Sequence, residues 1–301
     1  MHPAPSRPRA LITGLRGFTG RYLAQELEAA GYQVFGTAHG RENLGHGVYT
    51  ADLGDRWRLQ QVVQEVQPDV VAHLAAISFV AHGDAEAIYR TNVVGTRNLL
   101  EALSTLSTVP SAVLLVSSAN VYGNTRTEVI DESEAAQPAN DYGVSKLAME
   151  YVARLWMDRL PIILTRPFNY TGVGQAETFL LPKIVSHYRR RASIIELGNL
   201  DVERDFSDVR TVARAYVRLI QKVPAGRTFN ICSGKAYTLQ KILDMLAELV
   251  GYQIEVRVNP AFVRADEVKR LIGNPLQLTA CIGTLPQIPL RETLTWMLNA
   301  D

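Results

Sequence analysis

The stretch ALITGLRGFTGRYLAQELEAAGYQVFGT, residues 10–37, changes its periodicity twice. ALIT (10–13) is a short apolar run. GFTGRYLAQELEAAG (17–31) then brings Leu23, Leu27 and Ala30 onto one helical face, and YQVFGT (32–37) returns to strand-like character. This is a strand, a helix and a second strand. The alternation continues along the chain: DVVAHLA (69–75) precedes the helical TNVVGTRNLLEAL (91–103), SAVLLVSS (111–118) precedes DYGVSKLAMEYVARLWM (141–157), and PIILTRP (161–167) closes the run. Fully apolar strands separated by helices are what a parallel sheet covered on both faces requires, so the pattern predicts an α/β fold with a doubly wound parallel sheet.

After Pro167 the rhythm changes. A Gly-rich turn (NYTGVGQ, 169–175) leads to helical LPKIVSHYRRR (181–191), DVRTVARAYVRLIQK (208–222) and TLQKILDMLAELVG (238–251), with strand-like TFNIC (228–232) among them. The expected organisation is a dinucleotide-binding unit over 9–168, to which 205–231 returns. A smaller α/β substrate unit is expected over 169–204 and 232–301, covering the carboxyl ends of the sheet, where open α/β folds bind ligands.

Composition narrows the classes of function. Lys plus Arg number 31 against 30 for Asp plus Glu, and a net charge of +1 gives no reason to expect nucleic acid or an anionic membrane as partner. The two cysteines, Cys232 and Cys281, form no CxxC pair and imply neither a disulfide framework nor a metal site, which fits a reducing cytoplasm. The opening MHPAPSRPRA lacks the apolar stretch of a signal peptide, and no apolar run approaches the ~20 residues that span a bilayer.

Gly14, Gly17 and Gly20 stand between a strand and a helix, where such spacing suits a dinucleotide pyrophosphate at a helix N-terminus. The spacing is GxxGxxG rather than GxGxxG. In NAD sites an acid at the end of the second strand takes the ribose 2′-hydroxyl, whereas basic residues there accommodate a 2′-phosphate. Here the strand runs into GTAHGREN: His39 and Arg41 follow it, and Glu42 lies beyond its end. Arg16 projects from the glycine turn toward the same corner, so the corner predicts a phosphate clamp and NADPH, with NADH as the second candidate.

In DYGVSK, Tyr142 and Lys146 are four apart at the start of a helix and face one way. A cation beside a phenol, together with the charge of an NAD(P) ring, favours its ionised form, letting the tyrosine exchange a proton with a carbinol or carbonyl. Ser117 and Ser118 end a buried strand at the edge where substrate should lie, and a hydroxyl there can hydrogen-bond the same oxygen.

With these features the chain resembles the extended short-chain dehydrogenase/reductases, specifically their nucleotide-sugar branch, over essentially all of residues 9–298. The matching stretches are GLRGFTG (14–20), Asp52-Leu53, HLAA (73–76), NVVGT (92–96), SSANVYG (117–123), YGVSK (142–146) and RPFNYTGVGQ (166–175). The resemblance implies a catalytic triad of Ser118, Tyr142 and Lys146; Ser118 rather than Ser117 holds the family's place four residues before Tyr122. It implies that Asp52 and Leu53 hold the adenine, that Pro167 to Asn169 lie over the nicotinamide, and that Phe18, Leu74, Ala75, Ala76 and Asn92 also belong to the cofactor site. It further implies a homodimer paired through the helices 85–103 and 141–157.

ETFLLPKI (177–184), LGNLDVERDFSDVR (197–210) and RADEVKRLIGNP (264–275) resemble the GDP-mannose dehydratase and GDP-4-keto-6-deoxymannose reductase group. That resemblance implies Lys183 near the guanine, Arg204 and Arg264 on the diphosphate, Glu267 on the ribose diol, and Ser78, Asn120 and Asn169 toward the sugar. Two arginines give bidentate, charge-assisted contacts to phosphate, and a carboxylate can bridge a vicinal diol. Where relatives read LGWKP, this chain has IGTLP (282–286), which puts the packing of that edge in question.

Dehydratases of the family carry a glutamate two residues after the serine or threonine of the triad. Here the run is Ser118-Ala119-Asn120, and an amide cannot usefully exchange that proton, so dehydration is not expected. The expected reaction is NADPH-dependent reduction of the C4 ketone of GDP-4-dehydro-6-deoxy-D-mannose, giving GDP-D-rhamnose or its C4 epimer GDP-6-deoxy-D-talose. The alternatives are an NAD-dependent nucleotide-sugar 4-epimerase and a regulator that binds the cofactor without catalysis.

Overall fold

The computed structural model describes residues 7–40, 45–78, 83–263 and 268–300. Six strands come first: β1 (Arg9–Thr13), β2 (Gln33–Ala38), β3 (Val48–Thr50), β4 (Val70–His73), β5 (Ala112–Val116) and β6 (Ile162–Pro167). β7 (Asn169–Thr171), β8 (Ile194–Leu197) and β9 (Glu203–Asp208) lie outside their sheet, and β10 (Thr228–Ile231) rejoins it beside β6. The seven strands run in the order β10-β6-β5-β4-β1-β2-β3, every neighbour parallel. The order reverses direction between β1 and β4, and in doubly wound sheets the crevice outside the strand ends at such a reversal receives ligands.

Alternation along the strands splits the core. Ala10 and Ile12 join the cluster under α1 (Phe18–Ala29), whereas Leu11 joins the one under α2 (Arg56–Val66). Beyond α3 (Ala85–Tyr89), α2's layer is completed by α4 (Gly95–Ser104) and α5 (Asp141–Arg154), through Leu99, Leu100, Leu103, Met149 and Ala153. After α6 (Leu180–Arg189) the chain returns as α7 (Val209–Lys222), which packs Val212, Tyr216, Leu219 and Ile220 on the α1 side. Fully burying a Leu or Ile side chain is worth about 1.5–3 kcal/mol, so both faces are firmly held.

A separate apolar cluster joins α6, α8 (Leu239–Val250) and α10 (Leu290–Leu298) to β8 and β9. Around β9 sit β7 and β13 (Arg270–Leu271) in parallel and β11 (Ala236–Thr238) antiparallel, while β12 (Glu255–Val258) pairs with β8. The edge where a tryptophan is missing is filled: after α9 (Leu276–Ile282), Leu285 is buried and packs into the cluster on the α1 side.

Two elements escape the periodicity reading. β3 and α2 are too short or too polar in sequence to stand out, and form because β2 offers β3 an edge and Leu59, Val62 and Val63 find the sheet. The segment expected as one helix over 91–103 is broken by a π-helical turn, Arg90–Val94, between α3 and α4. Such wide turns re-aim one side chain, and here Asn92 is the one buried.

Candidate active site

β5 ends at Val116, and the chain passes through Ser117 and Ser118 into a tight 3₁₀ turn, Ala119–Tyr122. Ser118 Oγ accepts from the Asn120 backbone N–H and from Asn120 Nδ2, both at 3.1 Å. The next helix, α5, starts where Asn140 Oδ1 caps the Gly143 N–H at 2.9 Å. Gly143 lets the helix start lie against that turn, since a Cβ there would stand 2.7 Å from the Asn120 carbonyl oxygen. Tyr142 and Lys146 are thereby brought to the end of β5, both buried and both lining one cleft with Ser118.

The protein's own groups do not by themselves lower the phenol. Burial raises Tyr142 above the usual phenol range, and a hydrogen bond with Ser118 acts the other way. Lys146 donates to the Val116 carbonyl oxygen at 2.7 Å, and burial brings it down to about 8 against the favourable charge of Glu150. A buried ammonium bound to a carbonyl does not reverse the desolvation of the phenol.

The cleft holds about 920 Å³ outside the carboxyl ends of β4, β5 and β6. Leu74, Ala76, Ser78, Asn120, Pro167, Asn169, Lys183 and Arg204 line it together with the three central residues. The glycine turn lies beside it, at the β1 end. Gly14 sits at φ +74°, with a Cβ position 3.0 Å from the Ala75 Cα, so the turn approaches the β4 loop as closely as only glycine permits. Gly17 precedes Phe18, the first residue of α1; Gly20 is buried one turn in, and Arg16 is exposed. Among the described residues no side chain caps α1, and no acid lies in its first turn, so its N-terminal dipole is available to an anion.

At the end of β2, His39 is exposed and its Nδ1 lies 3.9 Å from Asp52 Oδ2. Asp52 also accepts from the Gly54 N–H at 2.7 Å, and the buried Leu53 accepts from Asn98 Nδ2 at 3.0 Å. An acid therefore does reach this corner, delivered by the chain after β3 rather than by β2 itself. Ala75 donates its N–H to Thr13 Oγ1. Asn92 lies behind the cleft, where it holds Ile77 and Ser145. Arg41, Arg264 and Glu267 lie outside the described residues.

On the far wall Lys183 donates to the Glu196 carbonyl oxygen at 2.7 Å, its ammonium 4.3 Å from the centre of the Phe262 ring, and burial lowers it. Arg204 is buried, with Nη1 donating to the carbonyl oxygens of Glu203 and Lys269 at 3.1 and 2.9 Å. Two residues without an assigned role enter the site. Tyr170, half-buried beside Tyr142, stacks on Phe18 and shares a 2.8 Å hydrogen bond with Thr19, fastening β7 to the start of α1. The Ser117 hydroxyl, buried and lining the cleft, meets no partner among the described residues, so a polar atom of a ligand can complete it. Tyr170 stood within the quoted RPFNYTGVGQ, but nothing local distinguishes a cleft tyrosine from a turn tyrosine.

Ser117's orphaned hydroxyl, the glycine turn and the uncapped α1 together fit a dinucleotide. Among the described residues no cluster of His, Cys, Asp and Glu suits a metal ion, and no helix is long and apolar enough to cross a membrane.

A family model described as GDP-mannose 4,6 dehydratase matches residues 11–297. The chain is 36% identical over 276 residues to GDP-6-deoxy-D-talose 4-dehydrogenase of Aggregatibacter actinomycetemcomitans, covering 91% of each chain. It is 32% identical over 304 residues to GDP-6-deoxy-D-mannose reductase of Pseudomonas aeruginosa, covering 97% of this chain and 96% of that one. Among solved structures, a Burkholderia cenocepacia J2315 protein provisionally named an epimerase matches at TM-score 0.91 with 52% identity, covering 98% of each chain. RMD from Pseudomonas aeruginosa, complexed with NADPH, matches at TM-score 0.85 with 31% identity, covering 97% of this chain and 96% of that one.

Proposed function

The chain belongs to the GDP-mannose 4,6-dehydratase family, and within it we propose that this enzyme reduces the C4 ketone of GDP-4-dehydro-6-deoxy-D-mannose, using NADPH, to GDP-D-rhamnose or GDP-6-deoxy-D-talose. The observation that carries the reading is the meeting of Ser118, Tyr142 and Lys146 at one strand end, with Asn120 and not a carboxylate two residues after the serine. The two curated relatives support it: their sugars, 6-deoxy-D-mannose and 6-deoxy-D-talose, are the C4 epimers that opposite faces of hydride delivery would give.

When bound, NADPH supplies the hydride. Tyr142, neutral near pH 7, holds the proton that the C4 oxygen takes, and Ser118 donates a second hydrogen bond to that oxygen. Lys146 orients the cofactor's ribose and returns a proton toward Tyr142. Gly14, Gly17 and Gly20 with Phe18 cradle the pyrophosphate, and Arg16, His39 and Arg41 take the 2′-phosphate. Asp52 and Leu53 border the adenine, while Leu74, Ala75, Ala76 and Pro167 follow the rest of the cofactor, with Asn92 holding their loop. Lys183, Arg204, Arg264 and Glu267 serve the GDP half, and Ser78, Asn120 and Asn169 the hexose. The cofactor unit is 9–168 with 205–231; the sugar-nucleotide unit is 169–204 with 232–301.

The assembly we assign is a cytoplasmic homodimer. Outward-facing Val94, Val144, Tyr151 and Leu155, on the π-turn, on α5 and at its C-cap, supply an apolar face for it, and Cys232 and Cys281 are free thiols. The provisional name of the Burkholderia protein favours one second reading, an epimerase, which would hold NAD tightly and return the hydride to the same sugar. Incubation with NADPH and GDP-4-dehydro-6-deoxy-D-mannose decides between them: stoichiometric NADPH oxidation with a single 6-deoxyhexose by NMR is expected. NAD that survives purification, together with interconversion of C4 epimers without net NADPH consumption, would replace reductase by epimerase.

A further inference from the structure

Behind the cleft, Arg166 Nε and Nη2 donate to Glu150 Oε1 and Oε2 at 2.9 and 2.7 Å, with both residues buried. Glu150 follows Lys146 by one turn of α5, and Arg166 immediately precedes Pro167 on β6. The guanidinium also lies 4.9 Å from the centre of the Tyr122 ring, and the Tyr122 hydroxyl donates to Asn230 Oδ1 at 2.7 Å. Tyr122 ends the turn that begins at Ser118. One ion pair therefore joins the three elements that carry Ser118, Lys146 and Pro167, yet neither partner lines the cleft.

Stability is a weak reason for such a pair, because desolvating two charges costs about as much as their attraction returns, and well-packed apolar residues often do as well. Chemistry offers a better one. We propose that Glu150 and Arg166 are a positioning pair for Lys146: the carboxylate one turn further along α5 supplies the opposite charge in the lysine's buried site, and the fork of Arg166 holds that carboxylate in place. The inference rests on the role given to Lys146 above.

The groups that face this region come from every element packed around it. Tyr142 and Glu150 share the helix, His73 approaches from β4, Arg166 from β6, Tyr122 and Glu132 from the turn and the loop after it, Tyr170 from β7 and Tyr216 from α7. Burial holds His73 and the tyrosines neutral near pH 7, and Glu132 is engaged by the Asn230 N–H at 2.7 Å. Glu150 is the carboxylate that favours the charged form of Lys146.

The test is an NMR titration of ¹³C-labelled lysine in the full chain, with the Lys146 resonance identified by its loss in Lys146→Arg. Glu150→Gln should lower the Lys146 midpoint by about one pH unit, the size expected for losing a neighbouring opposite charge. Glu150→Asp should restore most of it, and the alkaline limb of kcat should move in parallel while KM for NADPH stays nearly constant. Glu150→Gln with Arg166→Gln leaves neither charge orphaned and serves if the single variant does not fold; its midpoint should also lie below that of the unmodified protein. An unmoved midpoint in either variant, whatever happens to Tm, overturns the proposal. The titration requires no sugar nucleotide, so its outcome is independent of whether the substrate assignment holds.

Discussion

Asn92 and Ser145 meet at 3.0 Å inside the protein, the amide of one donating to the hydroxyl of the other. Ser145 in turn donates to the Tyr142 carbonyl oxygen at 2.7 Å, and Asn92 exchanges two hydrogen bonds with the backbone of Ile77. The π-helical turn thus ties the loop after β4 to the first turn of α5, and the position of Tyr142 depends on a residue that does not line the cleft. Asn92→Ala should cost about 1–3 kcal/mol, the range for leaving buried partners unsatisfied, and kcat should fall more than cofactor affinity. Chemical denaturation beside steady-state kinetics checks both; a variant of unchanged stability would show the ties to be dispensable.

Tyr142→Phe removes the proton that the C4 oxygen takes. A fall in kcat of about 10²-fold or more is expected, with NADPH affinity close to the unmodified protein, because the hydroxyl acts in the transition state. Fluorescence titration and single-turnover rates separate the two effects. Retention of more than a small share of kcat would remove Tyr142 from the acid role.

Arg16 is exposed on the glycine turn, and at the end of β2 His39 and Asp52 lie 3.9 Å apart. Arg16→Ala should weaken NADPH binding by about 1.5–3 kcal/mol, the worth of a hydrogen bond to a charged group, and leave NADH nearly untouched. Calorimetric titration with each cofactor reads this directly. Equal losses for both would mean that Arg16 serves the pyrophosphate and not the 2′-phosphate.

His73 should make the fold acid-sensitive. Its Nδ1 meets Thr13 Oγ1 at 2.7 Å and its Nε2 meets Thr96 Oγ1 at 2.9 Å, and burial, followed by the charge of Lys146, lowers it from the ordinary 6.5 to about 3. Between these values the unfolded chain binds a proton that the folded chain does not. The stability that His73 contributes is therefore intact above about pH 6.5 and declines by up to about 1.4 kcal/mol per pH unit as pH falls toward 3. Urea midpoints measured from pH 8 to 4 should show the decline, and His73→Gln should flatten it. An equally steep decline in the variant would assign the acid sensitivity to carboxylates.

The parallel sheet, the glycine turn and the Tyr142–Lys146 pair could be read along the chain because each is written within one strand, one turn or one helix. Apolar runs bury on both faces, glycines permit the tight turn, and residues four apart share a helical face. The contacts that complete the site have no such local mark. Thr19 meets Tyr170 across 151 positions, His39 meets Asp52 only once β3 has paired with β2, and Glu150 meets Arg166 only where α5 lies along β6. The π-turn that buries Asn92 interrupts what periodicity presents as one helix, because its extra residue per turn is stabilised by partners on α5 and the β4 loop. The ionisation of Tyr142 was likewise decided by the fold: spacing puts a cation near the phenol, but burial, a property of the packed molecule alone, outweighs it.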